Sequence, residues 1–156
     1  MAVKERVNLH IRWLIRRDYP VVLAIESAVF ANPWTEDDFI RCLRQRNCIA
    51  IVAEHDDEVV GYVAYELNKS SIQIVNLAIA PEMQRRGVGT QLVRRLIGKL
   101  SAQRRSRLVL NVRETNLAAQ QFLRFCGFRA IDVLCGYYDN TEEDAYLMEY
   151  WYTGDC

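Results

Sequence analysis

Polar and apolar residues alternate weakly from His10 to Ile15, the two-residue period of a first strand. The rhythm then turns helical. Asp18 suits the cap of a helix and Pro20 its first turn, with Val22, Ile25 and Val29 on one face. After the Asn32-Pro33 break, Thr35-x-x-Asp38 resembles a capping box and opens a second helix carrying Phe39 and Leu43. Two apolar runs, Cys48 to Glu54 and Glu58 to Leu67, flank His55-Asp56-Asp57 and predict a hairpin. A third run, Ser71 to Ala80, ends at Pro81. From Gly89, residues Leu92, Val93, Leu96, Ile97 and Leu100 repeat at helical spacing and leave Arg94, Arg95 and Lys99 outside. A strand at Arg107 to Val112, a helix at Asn116 to Cys126, a strand at Phe128 to Val133 and a last strand at Ala145 to Tyr152 complete the chain. The order β-α-α-β-β-β-α-β-α-β-β predicts an α/β fold, a mixed sheet with helices on both faces. No repeat, low-complexity tract or linker interrupts it, so one domain over residues 1–156 is expected.

Composition narrows the class. A chain of 156 residues suits one domain of roughly 100 to 200 residues and has no need of a metal or disulfide to hold a core. At 51% hydrophobic and 26% charged residues, intrinsic disorder is excluded. No stretch free of polar side chains exceeds that from Val59 to Tyr65, which falls short of the ~18 residues of a membrane helix, and the first residues lack a secretion signal. No membrane partner and a cytoplasmic location are therefore expected. Twenty basic residues balance 20 acidic ones, which argues against nucleic acid as a partner. The charges are nonetheless segregated: Gln84 to Arg113 holds Arg and Lys but no Asp or Glu, while Glu36-Asp37-Asp38, Asp56-Asp57-Glu58 and Glu142-Glu143-Asp144 are acidic. One anionic and one cationic partner can be served together. The five cysteines, at 42, 48, 126, 135 and 156, form no C-x-x-C and read as reduced, mostly buried cytosolic thiols. Cys126 lacks the neighbours of a nucleophile, and His10 and His55 do not make a metal pair, so no metal is expected.

Candidate chemistry concentrates in Asn76 to Thr90, a strand that passes through a glycine-containing turn into a basic helix. Gly87 and Gly89 let backbone approach a ligand closely, and the first amides of the helix point at it with the dipole's positive end. Arg85 and Arg86 add charge. The pattern is neither G-x-x-x-x-G-K-[ST] nor G-x-G-x-x-G, so the common nucleotide loops do not apply. A tight turn with solvated arginines is the plainer alternative.

In its surroundings, Gln84-x-x-Gly87-x-Gly89 resembles the acetyl-CoA pyrophosphate loop of the GCN5-related N-acetyltransferases (GNAT), and the resemblance covers nearly the whole chain. Three further segments resemble the ribosomal-protein-alanine branch: Ala31-Asn-Pro-Trp-Thr-Glu36, then Leu110-Asn-Val-Arg-Glu-Thr-Asn116 with Cys126-Gly-Phe128, and Tyr137-Tyr138 before Glu143-Asp144-Ala145. The resemblance implies a mostly antiparallel central sheet of about seven strands flanked by four helices. It also implies acetyl-CoA as co-substrate. The strand with Leu77, Ala78 and Ile79 would pair with the pantetheine arm. Gln84, Arg85, Arg86, Gly87, Val88, Gly89 and Thr90 would hold the pyrophosphate. Asn116 would bond the arm near the sulfur, a role compatible with capping its helix. Gln84 serves equally well as a solvated turn residue.

Acetyl transfer needs a neutral amine, a polarised thioester carbonyl and a proton for the departing thiolate. A peptide α-amine titrates at about 7.7 to 8.0 and a thiol near 8.5, so only modest base and acid assistance is required. In the branch that this chain resembles, a Glu two residues before the Arg of L-E-V-R serves as base, and a Tyr four residues before Gly-Phe as acid. Here those positions hold Asn111 and Leu123. Asn111 is left with a structural hydrogen bond or with placing a water or the amine. Glu26, Tyr137 and Tyr138 are the candidate proton relays. Glu26 lies one residue off the apolar face of its helix, where a solvated charge is expected. The tyrosines either pack together or form a rim that grips a peptide. Pro33 and Trp34 either shape the peptide cleft or serve as a helix-entry turn and a core ring. Glu114, in the turn after its strand, is expected to be exposed. The expected activity is acetyl transfer to a protein N-terminal α-amine by a monomer or weak dimer. Acetylation of a small amine or metabolite, and a non-catalytic acetyl-CoA-binding module, are the alternatives.

Overall fold

Among the described residues, 7–102, 104–138 and 142–152 of a computed structural model, the chain forms β1 (His10–Trp13), α1 (Tyr19–Val29), α2 (Glu36–Leu43), β2 (Cys48–His55), β3 (Glu58–Leu67), β4 (Ser71–Ile79), α3 (Val88–Ala102), β5 (Arg107–Arg113), α4 (Leu117–Phe125), β6 (Arg129–Leu134) and β7 (Ala145–Trp151). Short 3-10 turns at Arg16–Asp18 and Pro81–Met83 add to the expected order. The seven strands lie in the order β1-β2-β3-β4-β5-β7-β6. Two compact units divide the chain: one takes residues up to Leu67 with Asn76–Arg95, the other Asn68–Val75 with residues from Leu96 onward. Cys156 and residues 139–141 of the acidic loop lie outside the described residues.

In the first unit β1, β2 and β3 are antiparallel, and Asp56 and Asp57 make the turn between β2 and β3 with φ of 51° and 65°. Two consecutive positive φ values are what a two-residue hairpin needs, and Asp tolerates them better than most residues. Thr35 caps α2 as its sequence predicts: its hydroxyl accepts from Asp38 N–H at 3.2 Å, and the Asp38 carboxylate accepts from Thr35 N–H at 2.8 Å. Asp18 departs from expectation. Its side chain makes no cap bond to α1 and is instead buried, accepting from the Arg12 guanidinium at 2.7 and 2.9 Å and from Ile15 N–H at 2.8 Å. An ionic partner on β1 outcompetes the helix amides.

The cysteines require a second correction. Cys42, on the last turn of α2, is bonded to Cys48, the first residue of β2, with Cα atoms 6.1 Å apart. A short turn brings the two within the usual Cα range of a disulfide, and the C-x₅-C spacing carries no signature that would have announced it. Cys126 is half-buried and Cys135 exposed, so neither is a core thiol.

The second unit is built on β5. Residues Ser71, Ile72 and Gln73 of β4 pair in parallel with Arg107, Leu108 and Val109, while β7 runs antiparallel to both β5 and β6. On β5 the buried residues are Leu108, Leu110 and Val112, which turns Asn111 to the less buried face as alternation predicts. Leu123, Phe128 and Met148 complete this core.

Candidate active site

Strand β4 leads into the glycine turn as the sequence suggests. Ala78 is buried, Leu77 and Ile79 are half-buried, and Ala80 N–H donates to Val60 O at 2.8 Å, anchoring the end of the strand to β3. Gln84 is not simply solvated: its side-chain amide donates to the Ile79 carbonyl at 3.2 Å, latching the turn onto the strand. Arg85 has φ of 65° and Gly87 of 83°, two left-handed residues in the turn before α3. The helix begins at Val88, one residue earlier than predicted, and the bond from Gln91 N–H to Gly87 O at 3.1 Å closes its first turn. The amides of Val88, Gly89 and Thr90 precede that bond and have no acceptor within the helix. Amides so placed at the start of a helix can take an anion, and Arg85 and Arg86 stand just before them in the chain. Gly61 on β3 permits this arrangement. A Cβ there would meet Ile79 Cδ1 at 2.8 Å, Val88 Cγ1 at 3.2 Å and the Ala78 carbonyl at 3.3 Å. Val7 adds a brace absent from the sequence reading: its N–H donates to Arg86 O at 3.4 Å, and its carbonyl accepts from the Gln91 side chain at 2.9 Å.

Glu26 overturns its expectation. It is 1% exposed, not a solvated helix charge. One carboxylate oxygen accepts from the Tyr62 hydroxyl and from Asn76 Nδ2 at 2.8 Å, the other from Trp34 N–H at 2.8 Å. The Asn76 amide also donates to the Tyr62 hydroxyl at 3.1 Å. Burial, reinforced by the adjacent carboxylate, pushes the Tyr62 hydroxyl far above the usual phenol range, so it stays a donor. Helical spacing held the missed signal: Val22, Ile25 and Glu26 stand at i, i+3 and i+4, one buried stripe in which the third member is acidic. Pro33 is exposed and Trp34 half-buried. The Trp34 ring packs edge-on against Phe39 at 4.9 Å, and Phe39 against Tyr62 at 5.4 Å.

On the second unit, Asn116 caps α4, its Oδ1 accepting from Ala119 N–H at 3.1 Å. Asn111 is half-buried on β5, paired in register with Leu147. Leu123 is 1% exposed, a core residue of α4. Tyr137 and Tyr138 stack edge to face at 5.0 Å, with the Arg113 guanidinium 3.8 Å from the centre of the Tyr138 ring. Burial raises the Tyr138 pKa and the Arg113 charge opposes it, leaving the hydroxyl protonated at neutral pH. Two of the acids near this pair are engaged. Glu143 accepts from the Thr115 hydroxyl at 2.6 Å and lies 3.6 Å from Arg113, while Asp144 accepts from Gly136 N–H at 2.8 Å. Glu114 is half-buried rather than exposed, because its carboxylate accepts from Asp144 N–H at 3.2 Å.

Comparison with known proteins identifies the family and the fold. The chain is 31% identical over 137 residues to a Bacillus subtilis protein described as a candidate ribosomal protein bS18-alanine N-acetyltransferase, covering 87% of this chain and 89% of that one. It is 29% identical over 133 residues to the Salmonella typhimurium ribosomal protein bS18-alanine N-acetyltransferase, covering 84% and 89%. The crystal structure of the Escherichia coli ribosomal-protein-S18-alanine N-acetyltransferase shares the fold, with a TM-score of 0.83 at 24% identity over 96% of this chain and 97% of that one. The family model described as Acetyltransferase (GNAT) family matches residues 9–128. The chain belongs to that family, and acetyl-CoA is its co-substrate.

Proposed function

We propose that this protein acetylates the N-terminal α-amine of a protein whose first residue is small, and that alanine suits it. The observation that carries the reading is similarity along more than four-fifths of the chain to proteins named for that reaction. The family match draws on residues of both compact units, which favours one N-acetyltransferase domain over residues 1–156. A monomer or weak dimer in the cytoplasm is part of the same reading. The exposed thiol of Cys135 suits a reducing compartment.

In this reading the amides of Val88, Gly89 and Thr90, with Arg85 and Arg86, hold the pyrophosphate, Gln84 and Gly87 shape the loop, and Leu77 to Ile79 present backbone groups to the pantetheine arm. Asn116 adds a polar contact to the arm through the part of its amide that does not cap α4. The amine nitrogen attacks the thioester carbonyl carbon, the C–S bond breaks, and the thiolate takes a proton. Asn111 cannot take up a proton at neutral pH, so its role is to orient the amine or a water that carries the proton away. Tyr138, protonated through the neutral range, is the residue to return a proton to sulfur. Tyr137, Pro33 and Trp34 border the peptide. With Glu143 and Asp144 already engaged, attraction to basic peptides is moderate rather than dominant.

Comparing Ala-Arg-rich with Ala-Glu-rich peptides at two salt concentrations tests the acceptor. Faster turnover of the basic peptide, with a gap that narrows at high salt, is the expected result. Turnover of polyamines alone would replace the peptide reading with a small-amine one.

A further inference from the structure

We infer that Glu26 is a positioning residue that ties the acetyl-CoA strand to the acceptor turn, acting through Asn76 and the Trp34 N–H and not on the reacting atoms. The inference rests on the reading that Leu77 to Ile79 carry acetyl-CoA and that Pro33 and Trp34 border the acceptor.

A carboxylate as buried as Glu26 is costly to desolvate, and a helix that needed only core filling would place an apolar side chain at this position. The charge is compensated by three donors. Two of the three belong to the proposed site. Asn76 is the residue immediately before Leu77 on β4, and Trp34 immediately follows Pro33. The bond to Trp34 is to its backbone amide, so it fixes the path of the turn rather than the pose of the ring. The third donor, Tyr62, closes a circuit. Its ring packs on Phe39, Phe39 packs on Trp34, and Trp34 returns through its N–H to the carboxylate that Tyr62 also bonds. Apolar packing alone would hold Trp34 against Phe39, leave the turn unfixed and leave the Asn76 amide with the Tyr62 hydroxyl in place of the carboxylate. With both oxygens taken by donors from fixed positions, Glu26 is occupied as a strut, which removes it from the candidate proton relays.

The test uses Glu26→Gln, Asn76→Ala and the double variant in the full chain, with acetyl-CoA Kd from calorimetry, peptide KM and kcat from CoA release, and a melt for each. Gln in place of Glu turns an NH₂ toward groups that are themselves donors. E26Q is expected to weaken acetyl-CoA binding and raise peptide KM, each by about tenfold, the scale of one charge-assisted hydrogen bond. N76A should weaken acetyl-CoA binding by a similar factor and move peptide KM by less than about twofold, and the double variant should bind acetyl-CoA no more weakly than E26Q, because the two residues act as one unit. A folded E26Q with a lower Tm but wild-type Kd and KM overturns the inference, as does additive loss in the double variant. Should E26Q not fold, N76A decides: a wild-type acetyl-CoA Kd in that variant overturns the link to the strand. Failure of the underlying reading looks different, since wild-type protein would then bind no acetyl-CoA or transfer no acetyl group to any peptide.

Discussion

Gly87 carries the plainest residue-level consequence. At φ of 83° an L side chain is strained, and an aspartate there would also set a negative charge at the mouth of the cradle. Gly87→Asp is expected to lower the apo Tm by a few degrees, in keeping with about 1–2 kcal/mol of backbone strain, and to abolish the stabilisation that acetyl-CoA gives the wild type. An undiminished ligand shift in thermal melts would remove the loop from the binding site. Leu123 supports the opposite kind of expectation. The family resemblance places a tyrosine acid at this position, yet the leucine is almost wholly buried, so a tyrosine must push packed neighbours aside. Leu123→Tyr should destabilise by about 1–3 kcal/mol in denaturant melts without raising turnover. A faster enzyme of unchanged stability would show that the ring finds room beside the thioester.

Among the elements, the link from β1 to α1 is electrostatic. Hydrogen bonding from Arg12 holds the Asp18 carboxyl below the usual carboxylate range, and the Ile15 amide adds to it. A depressed folded-state pKa contributes stability that is present above the unfolded value and lost as pH falls through the folded one. Asp18→Asn should therefore cost about 1.5–3 kcal/mol at pH 7, the worth of hydrogen bonds to a charged group, and the gap to wild type should shrink as pH drops below about 4. Urea melts at pH 7 and pH 3 check this, and an equal gap at both would contradict it. The elements themselves were largely legible because each rests on local chemistry: Thr35 and Asp38 announce α2, the paired aspartates announce the β2–β3 turn, and apolar spacing announces α3. Asp18 was misread because its competitor for the helix amides, Arg12, sits on another element. The Cys42–Cys48 bond was invisible for a similar reason, since proximity depends on how α2 ends and β2 begins.

At the scale of the whole molecule, charge is segregated along the chain: the stretch from Gln84 to Arg113 carries Arg and Lys without Asp or Glu, while Glu143 and Asp144, near Tyr137 and Tyr138, bond to Thr115, Arg113 and Gly136. Motif order alone pointed to the family, because its glycine turn between strand and helix is written in the sequence. The Glu26 network was not legible, because Asn76, Tyr62 and Trp34 come together only in the folded chain. The most direct measurement follows CoA release and product mass together on a peptide beginning with alanine and containing an internal lysine, beside the same peptide with its α-amine blocked. The account predicts one CoA released per acetyl group gained, the acetyl group on the α-nitrogen, and no turnover of the blocked peptide. Acetylation of the blocked peptide at lysine, or CoA release without a peptide product, would contradict it.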